Sequence, residues 1–229
     1  YKAFRNEVLQ SFQLPYEFKI IGGFTGSGKT KLLHELQNLG EQTIDLEGIA
    51  SHKGSAFGGI SMDSQPSQEM FENILAFALK ASGNGEGHNQ NDGAVTWLED
   101  ESQRIGNCNI PMALWQRMRN APVIFLDIPF EERLKHITNE YGVCDTGQLT
   151  ESVLRIKKRL GGLDTKNSVQ YLEAGNLKEA FRILLQYYDK QYLKGLHNRD
   201  NLAELVTIIA CPEVTIENAR ILLSKKLIL

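Results

Sequence analysis

The sequence predicts an α/β domain: a three-layer sandwich on a mainly parallel five-stranded sheet, with a helical segment around 147–200. Three observations predict it. Short apolar runs alternate with amphipathic helical runs, the order that yields parallel strands covered by their connecting helices. A glycine-rich G-x-x-x-x-G-K-T stretch stands between the first such strand and the first long helix. The residues from about 147 to 200 keep helical spacing with no strand among them.

Residues 1–14 read as a linker helix, with Phe4, Val8, Leu9 and Phe12 at helical spacing and Pro15 ending it. Residues 15–229 read as the main domain, with 147–200 as its helical insertion. "EFKIIGG" is a strand near 18–22 that runs into glycines. "KTKLLHELQNLG" is a helix with Leu32, Leu33, Leu36 and Leu39 on one face and Gly40 as its stop. "QTIDLEG" is a second strand near 43–46, and "IASHKGSAFGGI" a Gly/Ser-rich loop without regular structure. A helix follows over roughly 66–81, carrying Met70, Phe71, Ile74, Leu75, Ala78 and Leu79. "SGNGEGHNQNDG" is a polar, low-complexity loop expected to be mobile. "AVTWLED" is a strand near 94–99, "PMALWQRMRN" a helix with Pro111 in its first turn, and "APVIFLDIP" a strand near 122–127. "FEERLKHITNEYG" is a helix, "AELVTIIA" a last strand near 205–209, and "TIENARILLSKKL" a closing helix. Trp97 and Trp115 belong to the core.

Composition narrows the function. The 229 residues are 41% hydrophobic and 23% charged, ordinary globular material with room for a substantial core. A net charge of −3 gives no general field for nucleic acid, so any RNA contact must come from a local basic patch. No apolar run approaches the ~18 residues of a membrane span, and "YKAFRNEVLQSF" is polar rather than a secretory signal. Cys108, Cys144 and Cys211 are widely spaced, which fits a reducing compartment and neither a disulfide framework nor a zinc site. The first residue is Tyr1, so the chain is expected to be a processed or excised piece.

Gly23, Gly26, Gly28, Lys29 and Thr30 complete the phosphate-loop pattern, with Thr25 and Ser27 between them. Glycine lets the backbone turn tightly and bring N–H groups against phosphate oxygens. The helix starting near Lys29 adds its positive end. Lys29 supplies a point charge, and the Thr30 hydroxyl is suited to Mg²⁺. The flanking strand and helix set this apart from a glycine turn with an incidental lysine, and point to phosphate binding.

Glu99, at the end of an apolar strand with Asp100 and Glu101 beside it, is the best-placed partner carboxylate for the metal. Any of the three could serve, and a solvated acidic turn capping the next helix would look the same. "APVIFLDIPFEERLKHI" reads like the fourth strand and following helix of P-loop kinases, with Asp127, Pro129 and Arg133. An ordinary strand followed by a surface arginine reads identically. "RIKKRLGG" puts Arg155, Lys158 and Arg159 on neighbouring turns of a helix stopped by Gly161 and Gly162. It fits a phosphate clamp, an RNA backbone contact or a solvated basic face. His52, Lys53 and Ser55 lie among glycines just after "DLEG", at the carboxyl edge where open α/β sheets bind ligands. A flexible surface loop is the plainer alternative. His34, His88, His136 and His197 form no metal motif, and the cysteines have no evident base partner.

These blocks together resemble a known family. "GGFTGSGKTKLLHELQNLGEQTIDLEGIASHKGSAFGG", "TWLEDESQRIGNCNIPMALWQRM", "RIKKRLGGL" and "LLQYYDKQY" are similar, in order, to the C-terminal P-loop domain of the tRNA 2-selenouridine synthases. "YKAFRNEVL" resembles the segment after that family's rhodanese domain. The resemblance covers nearly the whole chain, and the "DLEG-x-A-x-H-[KR]-GS-x-FG" and "EDES-x-RIG" blocks are more specific than the phosphate loop alone. It implies a transferase of kinase-like P-loop NTPase fold, with sheet order 2-3-1-4-5. It further implies action on the wobble 2-thiouridine of tRNA: geranylation from geranyl diphosphate, then replacement of the S-geranyl group by selenium from selenophosphate. The phosphate loop would hold geranyl diphosphate or a nucleotide with Mg²⁺. The substrate side would fall to His52, Lys53, Ser55, Arg104, Arg155 and Arg159. Expected partners are tRNA and a rhodanese domain, upstream or in a separate subunit, with no membrane. The expected location is the cytoplasm, or a plastid for a eukaryotic source.

The sequence departs from the family in lacking the rhodanese cysteine, which puts selenation by this chain alone in doubt. The "SGNGEGHNQNDG" loop reads as an insertion, and Lys53 stands where arginine is expected. Two rivals remain: a small-molecule P-loop kinase and a regulatory ATP/GTP-binding module. Neither is expected to carry the "SHKGSAFGG" and "EDESQRIG" blocks.

Overall fold

The computed structural model describes residues 1–82 and 95–226. Its elements begin with α1 (Lys2–Ser11), β1 (Phe18–Gly23), α2 (Lys29–Asn38), β2 (Gln42–Thr43), α3 (Leu46–Ala50) and α4 (Gln68–Ala81). They continue with β3 (Thr96–Glu99), β4 (Arg104–Ile105), β5 (Cys108–Asn109), α5 (Met112–Asn120), β6 (Val123–Asp127) and α6 (Phe130–Tyr141). The last are α7 (Thr146–Arg155), α8 (Lys157–Leu160), α9 (Gly162–Glu173), α10 (Leu177–His197), α11 (Leu202–Leu205), β7 (Val206–Ala210) and α12 (Asn218–Lys226).

Five strands form one sheet in the order β2-β3-β1-β6-β7, with parallel pairing throughout. Counting only these strands along the chain, the order is the expected 2-3-1-4-5. β1 is central, so its end delivers the phosphate loop to the middle of the sheet's carboxyl edge. Ile20 and Ile21 are both fully buried but on opposite faces. Ile20 joins a core built with α1, α4 and α5, and Ile21 one built with α2 and α12. Burial on both faces explains why the strands read as continuous apolar runs rather than alternating ones. Leu32, Leu33 and Leu36 of α2 are buried against the sheet. Each such leucine contributes roughly 1.5–3 kcal/mol, and together they fix where the N-terminus of α2 points. Val8 of α1 and Phe12 just after it enter the same core as Ile20.

A third core joins α6 to α7, α8, α9 and α10, with Phe57 and Ile60 from the loop after α3. This is the helical region expected around 147–200. Three local expectations are corrected. The strand expected at 43–46 ends at Thr43, because the Asp45 carboxylate caps α3 by accepting the Gly48 N–H at 2.7 Å. That short helix also takes Ile49 and Ala50 out of the expected loop. The single basic helix is broken at Ile156, whose N–H bonds back three residues to the Val153 carbonyl at 3.1 Å and closes α7 in a tighter turn. A β4–β5 hairpin turns at Gly106, where φ is +60°. The "SGNGEGHNQNDG" loop lies, beyond its first residue, outside the described residues. No helix among the described residues is long and apolar enough to cross a membrane.

Candidate functional site

A cavity of about 1070 Å³ opens at the carboxyl edge of the sheet. Thr25, Gly26, Gly28, Lys29 and Thr30 line it from the phosphate loop, Glu47 from α3, Lys53 and Ser55 from the following loop, and Glu99 and Glu101 from the end of β3. Phe57, Ile137, Tyr141, Phe181, Leu184 and Leu185 form an apolar wall. The lining therefore combines charged groups with aromatic and aliphatic ones.

The phosphate loop has the backbone that its glycines predict. Gly26 has φ +82° and Gly28 φ +73°, conformations that side-chain-bearing residues rarely adopt. Space forbids replacement as well. A Cβ on Gly26 would stand 2.7 Å from Ile137 Cγ1, and one on Gly28 2.7 Å from Val214 Cγ1. Lys29 Nζ donates to the Gly23 carbonyl at 3.2 Å, so the ammonium folds back over the loop. Ser27 is buried, and its Oγ has no hydrogen-bond partner.

Three carboxylates converge beside Lys29. One oxygen each of Glu47, Glu99 and Glu101 lies within 4.8 Å of the others. Thr30 Oγ1 donates to Glu47 Oε2 at 3.4 Å. Burial is the main force on all three. It pushes Glu47 up to about 8, helped by the charge of Glu99 and opposed by Lys29. It pushes Glu99 to about 6, with Lys29 and the Thr30 hydroxyl holding it down. It pushes Glu101 well above the carboxylate range, with Glu47 and Glu99 adding to the shift. Oxygen donors alone make this a place for a hard cation. Thr30 and Glu99, the expected metal pair, stand in one cluster with Glu101.

Asp100 turns away from that cluster into the protein. Its carboxylate accepts from the Tyr192 hydroxyl at 2.7 Å and from the buried Arg199 guanidinium. The Tyr192 oxygen in turn accepts the Gly23 N–H at 3.2 Å. Arg133 is not a surface arginine. It is 3% exposed, pairs twice with Asp189 at 2.9 and 2.8 Å, and donates to the Thr25 carbonyl at 3.1 Å. Its guanidinium also stacks on Phe24, 4.8 Å from the ring centre. Tyr188 accepts the Ala56 N–H at 3.3 Å. Thus α10 grips the phosphate loop, the end of β3 and the 51–58 loop through Asp189, Tyr192 and Tyr188.

The other expected residues divide. Lys53 reaches the cavity but pairs with Glu140 at 2.5 Å and lies over the Tyr141 ring. His52 is tucked beneath the loop: a Cβ on Gly58 would come within 2.8 Å of its ring. Its Nδ1 is buried without a partner, and burial followed by the charge of Arg155 lowers its pKa. Arg104 sits on the β4–β5 hairpin, donating to the Gly106 carbonyl at 2.7 Å. Arg155 pairs with Glu151 at 3.2 Å, and Arg159 is an exposed residue of α8. None of these three arginines is among the cavity-lining residues. The residues that the sequence reading did not assign are Glu47, Asp189, Tyr192 and Arg199. Glu47 had a usable signal, since it follows a strand at the same carboxyl edge as Glu99.

A family model described as the tRNA 2-selenouridine synthase AAA domain matches residues 16–206. The tRNA 2-selenouridine synthase of Shewanella frigidimarina is 35% identical over 233 residues, covering 88% of this chain and 61% of that protein. That of Marinobacter nauticus is 34% identical over 254 residues, covering 96% of this chain and 65% of its own length. That of Serratia proteamaculans is 44% identical over 146 residues, 62% of this chain and 36% of the relative. The chain thus spans less than two thirds of the length of these relatives.

Proposed function

This chain belongs to the tRNA 2-selenouridine synthase family, and from that premise we propose that it is the phosphate-binding part of a transferase that modifies the wobble 2-thiouridine of tRNA. The first step is geranylation. The 2-thio sulfur forms a bond to C1 of geranyl diphosphate, the C1–O bond breaks, diphosphate leaves with the electron pair, and the N3 proton passes to solvent. In the second step the selenium of selenophosphate bonds to C2, the C2–S bond breaks and geranylthiol leaves, and water cleaves the P–Se bond to release phosphate; a rhodanese domain, in the same chain or a separate subunit, takes part.

The observation that carries this reading is the mixed lining of the cavity. Lys29, Thr30 and Glu99 line it together with Phe57, Ile137, Tyr141 and Phe181. A ligand with a doubly charged head and a branched hydrocarbon tail matches both kinds of group. The loop amides and Lys29 stabilise the negative charge that builds on the departing diphosphate. Thr30 and Glu99 would hold Mg²⁺, which when bound would supply further positive charge there. The apolar wall orients the chain and keeps water from the reacting carbon. Ser55 and Lys53, at the cavity rim, and Arg104, Arg155 and Arg159, outside it, are assigned to the tRNA. His52 is assigned to holding the rim loop that faces it. In this assignment Lys53 exchanges Glu140 for a phosphate.

The test is a thermal-shift screen against geranyl diphosphate, ATP and GTP, each with and without Mg²⁺. A shift with geranyl diphosphate that depends on Mg²⁺ and exceeds the nucleotide shifts is expected. Stabilisation by ATP alone, with turnover of a small acceptor, would make the chain a small-molecule kinase instead.

A further inference from the structure

Three carboxylates in one buried corner need a reason to stay there. Glu99 ends β3, Glu101 follows two residues later, and Glu47 stands in the first turn of α3. Their nearest oxygens lie within 4.8 Å of one another. Glu99 is 2% exposed, and its Oε1 has no hydrogen-bond partner. A buried carboxylate oxygen left unpaired is costly, and native proteins rarely keep one without a hydrogen-bond donor, an ordered water or an ion. The backbone above is shaped to come close. Gly54 has φ +65°, and a Cβ there would fall 2.8 Å from Glu101 Oε2 and 3.0 Å from Glu47 Oε1. The Thr30 hydroxyl adds a fourth oxygen, 3.4 Å from Glu47 Oε2.

That donor set differs from the usual phosphate-loop arrangement. There a hydroxyl and one carboxylate are too few to hold the cation, which is bound chiefly by the phosphates it arrives with. Here the protein offers three carboxylates and a hydroxyl before any phosphate is present. We propose that Glu47, Glu99 and Glu101 ligate a divalent cation directly, and that this cation is resident, loading before and without the phosphate ligand. The inference deepens the reading of the phosphate site given above and rests on it only for the ligand that arrives second. A resident cation would make diphosphate capture a one-ligand event and leave Lys29 free for the far oxygens.

Mn²⁺ is the probe, followed by its electron paramagnetic resonance signal in phosphate-free buffer. The expected result is one Mn²⁺ per chain, displaced by Mg²⁺. Changing an outer-shell residue commonly costs a metal site 10–100-fold in affinity, so Glu47→Gln and Glu101→Gln, which remove direct ligands, should each weaken Mn²⁺ at least ~10-fold. Lys29→Ala acts with the opposite sign: it removes a neighbouring positive charge, so Mn²⁺ binds as tightly or more tightly while inorganic pyrophosphate binds more weakly. The wild-type titration decides the question even if a variant misfolds. Mn²⁺ that binds only after inorganic pyrophosphate is added overturns the resident cation and leaves the phosphate site standing. Equal affinity in folded Glu47→Gln and Glu101→Gln also overturns it. Failure to bind either Mn²⁺ or pyrophosphate sinks both readings.

Discussion

At the scale of single residues, charge and geometry separate groups that bind from groups that position. Lys29 donates to a backbone carbonyl at 3.2 Å and stands beside Glu47, Glu99 and Glu101, so its charge can be shared with a ligand. Charge-assisted hydrogen bonds contribute roughly 1.5–3 kcal/mol. Lys29→Ala should therefore weaken diphosphate binding at least ~10-fold by calorimetry while leaving the unfolding midpoint nearly unchanged. Tyr192 does the reverse. Its hydroxyl joins the Gly23 N–H to the Asp100 carboxylate, which makes it a positioning group. Tyr192→Phe should cost about 1–3 kcal/mol in urea unfolding, the penalty for leaving buried polar groups unpaired. Of these residues only Lys29 was legible in the sequence, because its role depends on local spacing. Tyr192 lies 169 positions from Gly23, and no periodicity links them.

At the scale of elements, α10 is the strut of the site. Its Asp189 closes a part-buried, two-bonded ion pair with the buried Arg133, which in turn holds the Thr25 carbonyl of the phosphate loop. Removing one partner of such a pair strands the other charge, at a cost of roughly 3–5 kcal/mol. Asp189→Ala should lose about that much stability and also loosen phosphate binding, read by denaturant unfolding and calorimetry on the same protein. The sequence marked this region as helical but could not say which face meets the loop, since that follows from how α6 and α10 pack together. The α7–α8 segment was legible in charge and not in shape: Arg155, Lys158 and Arg159 were evident, the break at Ile156 was not. We assign these cations to the tRNA backbone. Reversing two of them, as in Arg155→Glu with Lys158→Glu, should weaken tRNA binding and flatten its salt dependence. Unchanged affinity in a filter-binding assay would make the segment a solvated face.

At the scale of the whole molecule, the fold was legible because its signals are local and repeated. Strands buried on both faces, helices with one leucine-rich face and a phosphate loop between them lead to one sheet order. The cavity was not legible, because it is assembled from α3, α6, α10 and the end of β3, which meet only in three dimensions. Its mixed lining is what joins the pieces: charged groups at the sheet edge and apolar side chains from the helical core. The cysteines add a division of labour. Cys108 and Cys211 are buried, and burial raises their thiols, which is unlike an activated thiolate. We propose that selenation falls to a partner rhodanese domain and geranyl transfer to the phosphate-loop site of this chain. The direct test is mass spectrometry of nucleosides from thiolated tRNA incubated with this chain, geranyl diphosphate and Mg²⁺, then with selenophosphate. S-geranyl-2-thiouridine should form with the wild type, disappear with Lys29→Ala, and not proceed to 2-selenouridine. Unmodified tRNA from a chain that binds geranyl diphosphate, or a 2-selenouridine peak from this chain alone, would contradict that assignment.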